Sequence, residues 1–544
     1  MPSRRFQFLA LLSWVTLCFS TSAFAEPTLR QPVPDSHALS GVRVVTAPGE
    51  VIDDATIVIR RGVIEAVGRG ISIPADARVH EFPREPDQPP ITVYPGLIEP
   101  FFKISVAEPD HDGTPVGRHE LINPDRVIRA RDWPDSRIEG LTRAGFTTAL
   151  LAPDQGLLRG SGAIVNLGDD GLSANLLNAS FGQFAGLDGR AGRRQFPSSL
   201  MGAVALMRQT LDDARWQTQA RAIWARNPAQ PRPEWLEGLD ALAPALAGQT
   251  PLVFESQDLL DSLRILELIN DPGINLVLVG HGEEYQRLSS LQARRVPHIL
   301  PVNFPSTPDV SDEDDRDVSL EALRHWNNAP NNPARLSAAG IPLLFTTHGL
   351  SSPNQLFANL ASAIEHGLDA NTALAGLTTA PAEWLGIGDR AGRIAPGYMA
   401  NLLIVEGELL TESPTLTEIW IDGQRTVLSA LVAPTIDPAG EWALTLGLGG
   451  MGDVDATLQL AGTPAQLSGV LSVMGNDTPL SEVRVSGDQV IASIDASRLG
   501  GSGTITIRLN IDGEQARGSG SGPFGDFSVR GQRAQRPDSE EVQS

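Results

Sequence analysis

The stretch that decides the fold is TVYPGLIEPFFKIS, residues 92–105. A proline–glycine turn at Pro95-Gly96 leads into a short apolar strand that carries one carboxylate, Glu99. Lys103 follows on the same segment, and it is the only lysine in a chain with 42 lysine and arginine residues in total. A lone ammonium so close to a strand carboxylate marks this segment as a candidate functional site.

Length and composition set the outer limits. A chain of 544 residues predicts two or three domains, and 41% hydrophobic with 20% charged residues is ordinary for globular protein. The net charge of −23 argues against nucleic acid and anionic membranes as partners. The oligomeric state is left open by the sequence.

The first 25 residues have the pattern of a secretory signal peptide. A basic pair at 4–5 precedes an apolar core, Phe6 to Phe19, and Ala23-Phe24-Ala25 forms a small-x-small cleavage site. The apolar run is too short for a membrane-spanning anchor, so no membrane insertion is expected. Cleavage would also remove Cys18, the sole cysteine, and with it any disulfide or thiolate zinc site. The expected location is a bacterial periplasm.

Three patterns of secondary structure follow. Residues 38–93 show short alternating strands, too few to bury a core alone. From 94 to 391 apolar strands alternate with helices, which indicates βα units in either a barrel or an open doubly wound sheet. Strands return at 392–430, and 438–533 has the pattern of an antiparallel meander with glycine-rich turns. Residues 534–544 are polar and are expected to form a disordered tail.

The predicted parallel strands of the middle region are short and nearly unbroken apolar runs. They are residues 146–152, 251–255, 274–280, 298–302 and 341–347. A glycine-rich segment, Gly160-Ser161-Gly162, lacks the lysine and the helix start of a phosphate loop, and we interpret it as a turn before a strand at 163–167.

Two separated segments resemble the amidohydrolase superfamily, most closely its imidazolonepropionase-like group. The first is Val42 to Glu99, which contains the VYPGLIE run. The second is NTALAGLTTAPAEWLG at 371–386, followed by GRIAPGYMANL at 392–402. Both segments stand in the order that the family shows, and two matching anchors far apart are much more specific than either alone.

The resemblance implies the architecture. It implies a (β/α)8 TIM-like barrel over residues 94–391, beside a composite β-sandwich built from both chain ends. In that arrangement residues 392–430 supply the strands that 38–93 lacks. The meander after Pro438 lies outside the resemblance and is expected to be an additional C-terminal antiparallel β domain.

The resemblance also implies a hydrolase that acts on carbon–nitrogen bonds, with a small-molecule (non-peptide) or small-peptide substrate. In the family the reaction uses metal held by imidazoles and carboxylates. The family's first-strand His-x-His falls on Phe101 and Lys103, so this metal motif is lost. Glu255 falls where a later histidine is expected, His281 lies near the place of the other, and the late aspartate aligns with His348. No other lysine exists to bridge two metals.

Two interpretations of the site remain open. In one, Glu255, His281 and His348 hold at most one divalent metal (zinc, iron or manganese), and Lys103, His348 and Glu99 are catalytic. In the other no metal is bound, Lys103 is a structural cation paired with Glu99 or Glu255, and the protein is a catalytically inactive binding or scaffold module. Each histidine taken alone also fits a hydrogen-bonded loop residue. Since parallel barrel strands present their C-terminal ends together, all five side chains are expected at one end.

Overall fold

A computed structural model describes most of the chain. The described residues are 36–82, 89–107, 119–168, 171–188, 196–236, 238–306, 308, 318–411, 414–428, 436–447, 453–463, 466–473, 476–480, 482–486, 489–495, 504–521 and 527–535. The predicted signal peptide and residues 536–544 of the predicted tail lie outside them. Ala534 and Gln535, at the start of that tail, belong to the last strand.

Five strands open the described chain. They are β1 (Ser36–Ala47), β2 (Glu50–Arg60), β3 (Val63–Gly68), β4 (Arg78–Glu81) and β5 (Ile91–Pro95). The β2–β3 hairpin turns on Arg61 and Gly62, whose φ angles of 50° and 77° are those of a two-residue type I′ turn. A Cβ on Gly62 would lie 2.7 Å from the carbonyl oxygen of Asp422, so this turn also requires glycine for close approach.

Eight strands form the second sheet and follow one another in chain order across it. They are β6 (Leu97–Ile104), β7 (Phe146–Pro153), β8 (Leu158–Asn166), β9 (Leu176–Gly186), β10 (Leu252–Glu255), β11 (Leu276–Val279), β12 (His298–Pro301) and β13 (Leu343–Thr346). All residues of β10 to β13 are buried, as parallel strands covered on both faces require.

One strand of this sheet runs against the others. β8 is antiparallel to both β7 and β9, whereas the other neighbouring pairs are parallel. Only residues 154–157 connect β7 to β8, too few for the crossover that a parallel pair needs. The segment Gly160-Ser161-Gly162 lies inside β8, so its interpretation as a turn was wrong. A Cβ on Gly160 would lie 2.4 Å from the carbonyl oxygen of Arg126, which explains the glycine.

The first and last strands of the sheet approach each other. Thr346 Oγ1 on β13 donates to the carbonyl oxygen of Phe101 on β6 at 3.4 Å. The sheet is therefore a nearly closed barrel, and the predicted TIM-like fold class is confirmed with one strand reversed. The side chains of β6 belong to two hydrophobic clusters. Leu97 and Phe102 lie in the cluster that includes residues of the helices, whereas Ile98 and Phe101 lie in a second cluster with Phe184.

Helices fill the connections of the barrel. In chain order they are α1 (Asp135–Arg143), α2 (Leu172–Asn175), α3 (Leu200–Arg226), α4 (Ala243–Leu246), α5 (Leu259–Leu268), α6 (Leu288–Arg294), α7 (Leu320–Asn328), α8 (Asn332–Ala338), α9 (Gln355–Glu365), α10 (Ala370–Ala375) and α11 (Thr379–Trp384). Several begin at a side chain that accepts a hydrogen bond from the first helical turn: Ser199, Asp258, Ser319 and Asp369. None of the described helices is long and apolar enough to cross a bilayer.

The chain returns to the first sheet after the barrel, through β14 (Leu402–Glu406), β15 (Thr415–Ile421) and β16 (Gln424–Val427). β14 pairs antiparallel with β5, which places Leu402 opposite Pro95. The sheet order is β16-β15-β14-β5-β1-β2-β3, with β4 on β1. The prediction that strands of residues 392–430 pair with those of residues 38–93 is confirmed.

Two histidines of this sheet pack on Trp420. Nδ1 of His37 lies 3.1 Å from Nε2 of His80, and both ring centroids are 5.2 Å from that of Trp420. Burial, with the neighbouring charges of Arg425 and His37, lowers the pKa of His80 to about 4. His80 is therefore neutral at pH 7.

The last described strands form a sheet of nine antiparallel strands, in the order β20-β19-β18-β17-β25-β24-β23-β22-β21. They are β17 (Gly440–Gly447), β18 (Asp453–Thr463), β19 (Gln466–Val473), β20 (Asn476–Pro479), β21 (Glu482–Ser486), β22 (Gln489–Asp495), β23 (Thr504–Asp512), β24 (Gln515–Ser521) and β25 (Phe527–Gln535). Their apolar residues, among them Trp442, Leu458 and Val529, form one core. The predicted C-terminal antiparallel β domain is confirmed.

Candidate active site

Glu255 is the centre of a polar cluster at the C-terminal end of the barrel strands. It is the last residue of β10 and is 4% exposed. Nζ of Lys103, near the end of β6, lies 2.9 and 3.0 Å from its two carboxylate oxygens. Nε2 of His348, just after β13, lies 3.2 Å from Oε1. The structure thus brings together three of the five side chains that the sequence singles out.

A second cation, Arg159, completes the cluster. Its side chain is 1% exposed, and Nη1 lies 2.5 Å from Oε2 of Glu255. Nη2 donates to Oδ1 of Asp188 at 2.8 Å. Because β8 runs against its neighbours, its first residues lie where the other strands end. A Cβ on Gly186 would lie 2.2 Å from Nη2, so glycine at the end of β9 leaves room for the guanidinium.

Sequence reasoning missed Arg159 and Asp188. Arg159 opens a strand, which in a parallel barrel would place it at the opposite end from the site. The signal that was available is the short connection at 154–157, which permits only an antiparallel return.

The charges around Glu255 keep it ionised. Burial alone would raise the pKa of this carboxyl, but the hydrogen bond from His348 and the charges of Arg159 and Lys103 outweigh it and hold the pKa well below its usual range. The side chains of Lys103 and His348 are 23% and 30% exposed, whereas Arg159 is closed off from solvent. Lys103 and His348 are therefore the members that a ligand in the barrel mouth can reach.

Glu99 lies behind this cluster and is fully buried. It accepts hydrogen bonds from the backbone N–H of Phe101 at 3.0 Å, from both the hydroxyl and the N–H of Thr347 at 2.8 Å, and from the hydroxyl of Thr346 at 2.5 Å. Burial raises the pKa of Glu99, and these donors oppose the shift. Among the salt bridges of the described residues Lys103 pairs with Glu255 and not with Glu99.

Glu99 nevertheless connects to the site through the backbone. Thr346 and Thr347 are the two residues before His348, and the N–H of His348 donates to Thr346 Oγ1 at 3.0 Å. The carboxyl therefore fixes the end of β13 against β6 and, with it, the start of the loop that carries His348.

His281 belongs to a different polar cluster. Its Nδ1 accepts from the backbone N–H of Glu283 at 3.2 Å, and its Nε2 lies 3.7 Å from Glu284 Oε1. Glu284 is fully buried and also accepts from the N–H of His281 at 2.7 Å and from Asn332 Nδ2 at 2.6 Å. Sequence reasoning missed Glu284. The cluster holds the turn after β11, and no described contact joins His281 to Glu255 or His348.

The residues present do not fit a catalytic divalent metal. Phe101, in the aligned position of a ligand, is 1% exposed and packs edge-on against His348, with ring centroids 5.3 Å apart. Both oxygens of Glu255 already face cations, and a metal there would be repelled by Lys103 and Arg159. Within the part of the chain that the structure describes, no three His, Cys, Asp or Glu side chains are grouped to hold a metal ion.

Known proteins share this fold and part of this sequence. Residues 328–431 match the model of the amidohydrolase family. Over 211 residues, 38% of this chain, the sequence is 25% identical to amidohydrolase tasK of Hapsidospora irregularis. That match covers 20% of the relative, so the chain spans about a fifth of its length.

A solved structure supports the architecture independently. The crystal structure of an amidohydrolase from Thermotoga maritima MSB8 superimposes with a TM-score of 0.55 at 18% sequence identity, covering 72% of this chain and 99% of that one. At this identity the likeness shows the fold alone. The family match over residues 328–431 supports the predicted resemblance to the amidohydrolase superfamily.

Proposed function

We propose that this protein is a diverged amidohydrolase that hydrolyses carbon–nitrogen bonds in non-peptide or small-peptide compounds, with a cluster of side chains in place of a metal centre. The observation that carries the proposal is the contact of His348 Nε2 with Glu255 Oε1 at 3.2 Å, with Lys103 on the same carboxylate. The amidohydrolase resemblance supports the class of reaction.

His348 is the proposed general base. A histidine that donates its Nε2–H to a carboxylate is held in one tautomer, which leaves Nδ1 to accept a proton. Glu255 is suited to orient it because Arg159 and Lys103 keep that carboxylate ionised. In the proposed step water attacks the amide carbon, His348 takes the water proton, the C–N bond breaks, and the same proton passes to the leaving amine. The products are an acid and an amine.

Lys103 is the proposed stabiliser of the oxyanion. An ammonium has three donors, and two contacts are made with Glu255, at 2.9 and 3.0 Å. The third donor is left for the substrate carbonyl oxygen, on which negative charge develops as water adds. Glu99 contributes as a positioning residue, through Thr346 and Thr347, to the backbone at His348.

A second candidate function is binding without catalysis. The observation that favours it is the pairing of Glu255 with Arg159 and Lys103 at once, because a carboxylate held by two cations is also what a purely structural ion cluster would show. The barrel mouth would then hold a small molecule that it does not cleave.

Turnover by metal-free protein tests both candidates. The chain is dialysed against a chelator and assayed with a panel of dipeptides and aryl amides for release of amine. We expect turnover to persist, and to fall about 100-fold or more in His348→Asn and in Lys103→Met. His366→Asn, a change of an exposed histidine at the end of α9, is the matched control and should keep full activity.

The other outcomes are equally informative. Turnover that disappears with chelator and returns with zinc would show that the metal-free mechanism is wrong. Binding of a panel compound without turnover, unchanged in His348→Asn, would establish the binding function instead.

We also propose export to the periplasm. The support is the sequence pattern of residues 1–25, a basic pair and an apolar core followed by a small-x-small site. Cell fractionation and N-terminal sequencing of the mature protein test it. A mature chain that begins at Glu26 is expected, and a cytoplasmic protein that retains Met1 would refute export.

A further inference from the structure

The outer face of the nine-stranded sheet carries an open groove of about 1060 Å³. It runs over β17, β18, β19, β24 and β25, where its polar lining residues alternate with residues of the apolar core. Its cations are Arg517 and Arg530, which are exposed, and Arg533, which is half-buried. Neither the barrel nor the proposed reaction uses this surface.

The two arginines face each other. Arg517 on β24 and Arg530 on β25 are direct cross-strand partners, so their side chains lie on the same face. Like charges in this arrangement destabilise a sheet unless something compensates them. Arg517 Nη2 donates to Gln515 Oε1 at 3.2 Å, and among the described residues no carboxylate forms a salt bridge with either arginine. Within the described residues the two arginines are thus adjacent cations that make no ion pair, in a chain of net charge −23.

Neutral hydrogen-bonding groups surround this pair. Thr445 is the cross-strand partner of Arg530 on its other side, and Gln532 lies opposite Gln515 in the next row. Thr457 on β18 lies in the same row as Gln532 and Gln515. Asp455, two residues earlier on β18, accepts a hydrogen bond from the hydroxyl of Thr445 at 3.4 Å. The described lining contains no aromatic side chain.

We propose that this groove binds an acidic polysaccharide, with Arg517 and Arg530 pairing with its carboxylates. A guanidinium presents a planar fork that matches a carboxylate with two hydrogen bonds. The hydroxyl and amide groups beside the arginines match the hydroxyls of sugar rings. Nucleic acid is disfavoured because the described lining offers no aromatic ring for base stacking.

The test uses one polymer in two charge states. Polygalacturonate and its fully methyl-esterified form share a backbone, but only the first carries carboxylates. Binding to the intact chain is measured by titration calorimetry at low ionic strength, where exposed charges are least screened. We expect binding to polygalacturonate that weakens as salt is added, and at least tenfold weaker binding to the ester.

Variants locate the site. Arg517→Gln and Arg530→Gln together should weaken binding to polygalacturonate by about tenfold or more, since each removes a charge-assisted pair. Arg508→Gln is the matched control, because Arg508 is an exposed arginine on neighbouring β23 that does not line the groove. It should bind as the native chain does, and circular dichroism should show all variants folded.

Three outcomes would overturn the proposal. Equal affinity for the esterified polymer would show that carboxylates are not recognised. Equal loss in Arg508→Gln would show diffuse attraction without a site. Binding to vesicles of anionic phospholipid but not to polygalacturonate would assign the groove to a membrane surface instead.

Discussion

Nη1 of Arg159 lies 2.5 Å from Oε2 of Glu255, and the two side chains are only 1% and 4% exposed. This buried pair brings a fixed positive charge to a carboxylate at the mouth of an amidohydrolase-like barrel. The charge arrives on a strand that runs against its neighbours, from a residue that a regular barrel would place at the opposite end. The cluster thus depends on the reversed direction of β8.

Replacing Arg159 by methionine should destabilise the protein strongly. The change leaves Asp188 without this partner and removes the closest cation from a carboxylate that stays buried. Breaking a buried pair on one side typically costs about 3–5 kcal/mol, so the melting temperature should fall visibly in a thermal scan.

Arg143→Met is the control for that measurement. Arg143 pairs with Glu139 one helical turn away, and both side chains are more than half exposed. Such pairs contribute less than about 0.5 kcal/mol. Equal losses in the two variants would show that the Arg159 pair is no more stabilising than a surface contact.

The sequence was informative where a residue's place in a strand determines its place in the barrel. Lys103, Glu255 and His348 each lie at or just after the end of a strand, and the structure brings them together. Arg159 could not be found this way because the pattern of apolar residues does not show the direction of a strand. His281 also follows a strand, but a local partner, Glu284, holds it away from the cluster.

Glu255→Gln should change the acid stability of the protein. The folded pKa of Glu255 lies below its ordinary value of 4.5, so its ionised form contributes stability above that pH, and the contribution is lost as pH falls below it. The variant lacks this titration and leaves Lys103 and Arg159 facing a neutral amide. We expect lower stability at pH 7 and a shallower decline below about pH 4.5, measured by urea unfolding. A parallel decline in both proteins would contradict the assignment.

The stability of the protein should also depend on pH through His80, at higher pH than through Glu255. Its folded pKa of about 4 lies below the ordinary 6.5, so the neutral form is favoured in the fold. Protons therefore bind the unfolded chain first, and stability falls as pH drops from about 6.5 towards 4. Besides His37, charged groups that act on His80 are Arg425, Glu418 and Arg78.

His80→Gln should flatten that part of the stability curve. Glutamine keeps a hydrogen-bonding group near His37 but does not titrate. His366→Gln is the matched control, because His366 is an exposed histidine and its loss should leave the curve as in the native chain. An unchanged slope between pH 6.5 and 4 in His80→Gln would show that another group is responsible.

A double variant, Phe101→His with Lys103→His, tests whether the barrel can still be given a metal. It installs the His-x-His pair and removes one of the two cations on Glu255. Two imidazoles beside His348 and Glu255 form a ligand set that suits zinc, so the variant should gain zinc affinity, visible as a rise in melting temperature with added zinc. The native chain should show no such rise.

The size of the gain in zinc affinity should depend on Arg159. Its guanidinium lies 2.5 Å from Glu255 in the native chain, is unaltered by the two substitutions, and would repel a cation that the carboxylate binds. Adding Arg159→Gln should therefore strengthen zinc binding by about tenfold or more beyond the double variant, in calorimetry at fixed pH. If the triple variant binds zinc no better than the double one, Glu255 is not among the ligands. If neither binds zinc while both stay folded, the alignment of Phe101 and Lys103 with the family's histidines is wrong.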